Sequence, residues 1–384
     1  MQNRFPVRFA LFLMAYYMTN AVFQGYTSLY YTSIGFTSGQ IGAIFAAIAL
    51  VSVFTQPFWG LCGDRVSSRN RLIRGLVVAA ALSVLSFLLT RQFIPSLLLA
   101  CVFSCFYTSI QPMGDSVILA ALEKHRQPFG PLRLAGGMAF AITSLVFGSL
   151  LNVPGRETWA IWFTAGLCLT MFPASYALPP TPGYQSAGGK RMSFRELFKN
   201  RDLMRLMVFM LPMQMTMGYF YTFFSPLFMT FEGANGTLLG WCYFISAVGE
   251  IPYLLLSDRL YEKLGAGKLM CISAAVLTLR WIILATTGNV TVTLFSQLLH
   301  GWGFIVMTVS MAKHISRTVP AELQSSGQML LAMVSYGLAR AAGNLGGGLL
   351  ANAFGQQNVF FLTAAICAVT LVIFAPMFLK KKSA

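Results

Sequence analysis

PFWGLCGDRVSSRNRLIRG, residues 57–75, and PYLLLSDRLYEKLGAGKL, residues 252–269, decide how the chain is read. Each starts at the end of an apolar run, passes through an Asp-Arg pair and ends among basic residues. Pro57 and Pro252 are 195 positions apart, Asp64 and Asp258 are 194 apart, and half of the 384-residue chain is 192. An internal duplication is the economical explanation. Around the two copies lie apolar runs at roughly 9–31, 39–62, 72–90, 95–121, 132–152, 158–178, 203–228, 237–256, 268–287, 291–312, 327–350 and 357–378. Each is about 20 residues, enough to cross a hydrocarbon core of about 30 Å as a helix. The prediction is an all-α membrane protein with twelve transmembrane helices in two pseudo-symmetric six-helix bundles. Residues 1–180 form the first bundle, 181–201 a cytoplasmic linker, and 202–384 the second. The runs are continuous rather than alternating, which excludes a β-barrel.

Composition agrees. The chain is 56% hydrophobic and only 10% charged, whereas a soluble domain carries about 25% charged residues. A net charge of +16 would suggest a nucleic-acid partner in a soluble protein. Its placement points elsewhere. With the N-terminus in the cytoplasm, 22 of the 27 Lys and Arg fall in cytoplasmic segments, and only Arg91 and Arg156 in outer loops. The positive-inside rule therefore places both termini in the cytoplasm of a multi-pass cell-membrane protein, with no nucleic acid as partner. The first apolar run follows Arg4 and Arg8, is too long for a signal-peptide core and lacks a small-residue cleavage site, so it reads as an uncleaved span. The mid-chain stretch PPTPGYQSAGGKRMSFRELFKNR, residues 179–201, reads as a flexible linker followed by an amphipathic helix on the membrane surface. Seven cysteines lie in or beside apolar runs, which argues against a disulfide framework. Cys101 and Cys105, one turn apart, read as packing. No metal and no cofactor are predicted.

Few ionisable groups fall inside the spans. They are Asp115 and Arg133 in spans four and five, Glu250, Arg280 and His300 in spans eight, nine and ten, and Arg340 in span eleven. A charge at the bilayer centre costs about 2.5 to 3.5 kcal/mol or more, so such residues are rare unless paired and used. Asp115 and Arg133 flank the same cytoplasmic loop and are placed to meet. Each half offers one acid and at least one arginine, and opposed charges that exchange partners can cycle between states. A carboxyl group in an apolar cavity can hold a proton near neutral pH. A pair that only locks helices is the plainer reading of Asp115 with Arg133, but three groups in one half exceed what a lock needs. Arg340, in GLARAAGNLGGGLL, is divided evenly between a site role and close helix packing. Gly60, Asp64, Arg65, Asp258 and Arg259 belong to the repeated loops and read as gating elements. His125 and His314 read as solvated loop residues. Aromatic stripes in spans one and seven make Tyr26 and Tyr221 candidates for solute contact.

These motifs carry a resemblance. GLCGDRVSSRNR is similar to the loop between helices two and three of the major facilitator superfamily. QPMGDSVILAALEK, FGPLRLAGGMAF, VGEIPYLLLSDRL, LRWIIL and QLLHGWGF together resemble the phenylpropionate permease group and lactose permease, relatives of the oligosaccharide:proton symporters. The resemblance spans both halves. It implies that Asp115, Arg133, Phe140 and Glu250 bind solute. It also implies that Arg280 and His300 belong to a proton-coupling network with Glu250 and Asp115. Lactose permease carries a glutamate one turn after its histidine, where this chain has Gly303. It has a lysine where Gln297 stands, a sugar-stacking tryptophan where Phe140 stands, and an acid on helix seven that has no counterpart here. Galactoside is thereby disfavoured, and the proton is left to Glu250 or Asp115.

The expectation is a secondary transporter acting as a functional monomer. It would carry a sugar, nucleoside or aromatic acid with protons by alternating access. The alternative is a proton-driven exporter of lipophilic compounds on the same fold, against which the intramembrane arginines argue. No HExxH, GxSxG or phosphate-cradling loop occurs, so no enzyme is predicted.

Overall fold

Short polar side chains set where many helices begin. Thr37 and Gln40 form a reciprocal capping box before the second helix, and Ser68 caps the third. Asn200, Asn235 and Asn289 each accept a backbone N–H three residues on, at 3.0, 2.9 and 3.1 Å. Such caps satisfy amides that a helix start leaves orphaned, which matters most where no water is at hand.

The structure, a computed structural model, describes residues 7–124, 130–153, 155–181 and 194–379. Among them every regular element is a helix, and there is no strand. The α-helices are α1 (Ala10–Ser33), α2 (Ser38–Arg65), α3 (Arg69–Leu85), α4 (Phe93–Lys124), α5 (Gly130–Leu150), α6 (Trp159–Ala174) and α7 (Arg201–Phe228). They continue as α8 (Gly236–Val248), α9 (Ile251–Thr286), α10 (Val290–Ser296), α11 (Val306–Thr318), α12 (Ala321–Leu331), α13 (Arg340–Phe354) and α14 (Gln356–Leu379). Two π-helical segments, Gly301–Ile305 and Ala332–Ala339, join α10 to α11 and α12 to α13.

Eight stretches are long and apolar enough to cross a membrane by length and composition. One of them, Gly236–Thr286, is 51 residues long and reverses at Gly265, whose φ of 75° breaks the helix. It supplies two crossings. With α1, α7 and the α12–α13 stretch the helical stretches among the described residues number twelve, as expected. The eleventh begins at Ala321, six residues earlier than the apolar run, and the eighth is interrupted by a turn at Gly249–Glu250.

Two compact units hold these helices. One comprises α1 to α6 together with Asn235–Phe244, and the other α7 and the chain from Ile245 onward. In the first, α1 packs on α5 and α6, α2 on α4, and α3 on α4 and α6. Phe23, Phe103 and Tyr107 lie at its centre, with Tyr16 stacked on Tyr107 at 5.6 Å. In the second, α9 packs on α14 and α11, and α7 on α13 and α14. Trp281 is fully buried there and donates to Thr216 at 3.2 Å. All seven cysteines are free.

Two expectations are corrected. The surface helix of the linker is, in its described part, one six-residue 3-10 segment, Phe194–Lys199. Its Leu197 is buried against α12, and the neighbouring Phe198 is exposed. His314 is not a solvated loop residue: it lies on α11, half-buried, with Nδ1 at 3.2 Å from the Tyr261 hydroxyl. His125, linker residues 182–193 and the terminal basic residues lie outside the described residues.

Candidate functional site

In the second unit, backbone contact between glycines builds the site. A Cβ on Gly301 would meet the carbonyl of Gly249 and come within 2.8 Å of the Glu250 Cα. Only two glycines permit this approach, which sets the turn before α9 against the π-helical segment that begins just after His300. Glu250 Oε1 accordingly lies 3.6 Å from His300 Nε2, and the Tyr221 hydroxyl 3.2 Å from the same nitrogen. The other ring nitrogen, Nδ1, is 3.0 Å from Arg280 Nη1. Arg280 Nη2 donates to Gln297 Oε1 at 2.6 Å, and Ser246 donates to that oxygen at 3.2 Å. The Arg280 guanidinium also lies 4.1 Å from the Phe220 ring centre and 5.0 Å from that of Trp281. It is fully buried, and the rings and Gln297 replace the water it has lost.

A guanidinium can only donate. Beside Arg280, His300 Nδ1 must therefore be the acceptor. The imidazole is neutral and carries its hydrogen on Nε2, facing Glu250 and Tyr221. Glu250 is the more open partner, its side chain 24% exposed against 6% for His300. The arrangement holds one carboxylate where it can exchange a proton, and one neutral ring fixed by a buried cation.

Arg340 completes this cluster. Its Nε donates to Gln214 Oε1 at 3.3 Å, and its guanidinium lies 5.0, 5.7 and 4.7 Å from the ring centres of Tyr221, Phe304 and Tyr336.

In the first unit, Arg133 does not close directly on Asp115. It donates to the Tyr17 hydroxyl, which Gln111 also reaches at 3.2 Å. Asp115 is half-buried, and among the described residues its Oδ1 has no hydrogen bond. Gly136 makes room: a Cβ there would run into the Tyr17 ring. Phe140 meets Tyr243 edge-on at 6.3 Å. Tyr26 is fully buried, its hydroxyl donating to the Ser144 carbonyl at 2.6 Å, which is a helix-packing contact.

Asp258 pairs with Lys313 at 2.7 Å and Arg317 at 3.8 Å, and Arg317 reaches Glu262 at 3.5 Å. Arg65 and Arg259 are exposed, Gly60 has open space on its Cβ side, and the Asp64 side chain lies outside the described ones. Arg69, which in the sequence is only one of many cytoplasmic cations, is buried and ties the Gly63 carbonyl to Ser116 on α4, next to Asp115. Tyr17, Gln111 and Gln214 also escape a sequence reading as site residues. Neutral polar groups in apolar spans carry little charge signal, and only their partners mark them.

A family model described as the MFS_1 like family matches residues 7–362. The "Uncharacterized transporter YwbF" of Bacillus subtilis (strain 168) is 24% identical over 314 residues, covering 81% of this chain and 77% of that one. The "Probable 3-phenylpropionic acid transporter" of Escherichia coli (strain K12) is 25% identical over 379 residues, covering 97% and 96%. The crystal structure of the nucleoside transporter NupG superposes with a TM-score of 0.83 at 16% identity, covering 99% and 100%. The fold is that of the major facilitator superfamily, all-α and multi-pass in the cell membrane.

Proposed function

The chain belongs to the MFS_1 like family, and from that membership we propose that it is a proton-coupled transporter moving a small organic solute by alternating access. That it is a transport protein rather than an enzyme follows from the family. The coupling and the solute are the proposal.

The observation that carries the coupling is the contact of Glu250 with a His300 that Arg280 keeps neutral. A carboxylate beside an Nε2–H is stabilised when charged, and it can take a proton without forcing a second positive charge onto the ring. Glu250 is thus the proton carrier, with Arg280 and His300 setting its surroundings. Asp115, Arg133 and Phe140 of the first unit bind solute, with Tyr17 and Gln111 fixing the arginine. The solute is a sugar, a nucleoside or an aromatic acid. Relatives named for 3-phenylpropionic acid and for nucleosides support that range. Both termini are cytoplasmic on the distribution of Lys and Arg, and the functional unit is the monomer, since one chain carries both clusters.

The energetics suffice. A proton moved through 100 mV yields about 2.3 kcal/mol, which supports about 50-fold accumulation of one solute per proton. The test is uptake into proteoliposomes with an imposed pH gradient. Wild type accumulates solute, and Glu250→Gln exchanges it without accumulation. Full coupling in Glu250→Gln would remove this mechanism. Gradient-driven extrusion of a lipophilic cation would put the exporter first.

A further inference from the structure

Arg340 stands apart from the other intramembrane arginines. Arg280 has both terminal nitrogens engaged and no exposure, and Arg133 is held by Tyr17. Arg340 is partly exposed, and among the described residues its only hydrogen bond is from Nε to Gln214. Among those residues no carboxylate lies within ion-pair distance of it. Its two terminal nitrogens, a planar fork suited to a carboxylate, are left without acceptors.

A second observation points to the same place. Gln214 is fully buried, and among the described residues its amide nitrogen has no hydrogen-bond partner. The amide cannot be turned round to satisfy it, because Arg340 only donates and needs the oxygen. A buried orphan donor therefore sits about 2 Å, one carboxamide width, from the oxygen that Arg340 holds. Gln214 thus aims Arg340 through its oxygen and leaves a spare donor on the same amide.

The position is rigid. A Cβ on Gly218 would come within 2.8 Å of the Arg340 carbonyl oxygen and 2.9 Å of its Cα, so α7 and α13 touch backbone to backbone here. The π-helical segment Ala332–Ala339 runs directly into Arg340. Such segments often re-aim side chains at functional sites.

Charge completes the argument. With His300 neutral, the cluster holds Arg280 and Arg340 against Glu250 alone, an excess of one positive charge that becomes two when Glu250 takes a proton. An uncompensated cation in a low-dielectric interior is costly. We propose that Arg340, framed by Tyr221, Phe304 and Tyr336 and backed by Gln214, receives a carboxylate of the transported solute. The solute is then a small organic anion with a flat apolar body. This rests on the transport reading and selects among its solutes.

The test is calorimetric titration of the purified full-length protein in detergent with benzoate, benzyl alcohol and uridine. Wild type binds benzoate at least about tenfold more tightly than benzyl alcohol, the difference one charge-assisted hydrogen bond makes. Arg340→Gln loses that preference, and Arg340→Lys keeps part of it. Should Arg340→Gln fail to fold, Gln214→Leu, which removes the hydrogen bond that aims Arg340, weakens benzoate alone by roughly tenfold, as loss of one hydrogen bond to a charged group does. Equal binding of benzoate and benzyl alcohol by wild type, tighter binding of uridine, or unchanged benzoate binding in Arg340→Gln overturns the proposal. A separate flux assay keeps the two readings distinct. Proton-driven uridine uptake, equal in wild type and Arg340→Gln, sustains transport and removes the anion site. Arg340-dependent benzoate binding without proton-driven flux does the reverse.

Discussion

Arg280 Nη1 lies 3.0 Å from His300 Nδ1, and that one distance fixes the protonation of the ring. Two donors cannot share a hydrogen bond, so a doubly protonated imidazole would face the guanidinium with a hydrogen and a like charge. The neutral Nε2–H form is the one compatible with Arg280, and it aims its hydrogen at Glu250 and Tyr221. His300 then positions the acid rather than carrying the proton in its place.

Nitrogen-15 spectra of His300-labelled protein at neutral pH show the Nε2–H tautomer, and Arg280→Ala abolishes that selectivity. His300→Gln keeps coupled uptake because its oxygen can accept from Arg280 and its amide can donate toward Glu250. His300→Ala loses about tenfold more, since Arg280 is left with a buried donor unmatched at about 1 to 3 kcal/mol. Equal rates for the two variants in proteoliposomes would refute the positioning role.

Solute binding depends on the charge carried at Glu250. With that side chain neutral the cluster is more positive, and an anionic solute binds more tightly. Benzoate keeps its own charge at about pH 7, so it reports the protein. Glu250→Gln therefore binds benzoate more tightly than wild type at that pH in calorimetric titration. Equal or weaker benzoate binding by Glu250→Gln contradicts this.

The kind of signal each residue carries decides how much of it is legible in the sequence. Charges in apolar runs stand out, so Glu250, Arg280 and His300 are marked by composition alone. The repeat around Asp64 and Asp258 divides the chain, and apolar length locates the crossings. The partners of these charges are not legible. Gly249 meets Gly301 through backbone atoms, which no composition reports. His300 and Arg340 each adjoin a π-helical segment that shifts the helical register, so a 3.6-residue wheel misplaces the side chains beyond it. Asp115 and Arg133 can be placed at similar depth, but not the Tyr17 hydroxyl that Arg133 reaches instead.

That hydroxyl gives a further prediction. Tyr17→Phe keeps the ring that stands against Gly136 but removes the atom shared by Arg133 and Gln111. Solute affinity in equilibrium binding falls about tenfold, the worth of a hydrogen bond to a charged group, while melting temperature changes little. An unchanged affinity would show that Arg133 needs no anchor.

The packing that carries Arg340 can be tested at two glycines three residues apart on α13. A Cβ on Gly343 would collide with the Met215 carbonyl and come within 2.7 Å of its carbon, and neither atom can yield without moving α7. Gly346 has nothing within 4 Å of its Cβ direction. Overpacking a tight contact costs about 1 to 3 kcal/mol, whereas replacing an unconstrained helical glycine by alanine gains up to about 1 kcal/mol. Gly343→Ala therefore lowers the melting temperature of the detergent-solubilised protein, and Gly346→Ala leaves it unchanged or raises it. Gly343→Ala also displaces Gln214 from Arg340, because Gln214 precedes Met215 on the same turn of α7. Its benzoate affinity falls with its stability, while that of Gly346→Ala does not. Equal melting curves for the two variants would mean that α7 and α13 are not in backbone contact, and the fixed placement of Arg340 would go with it.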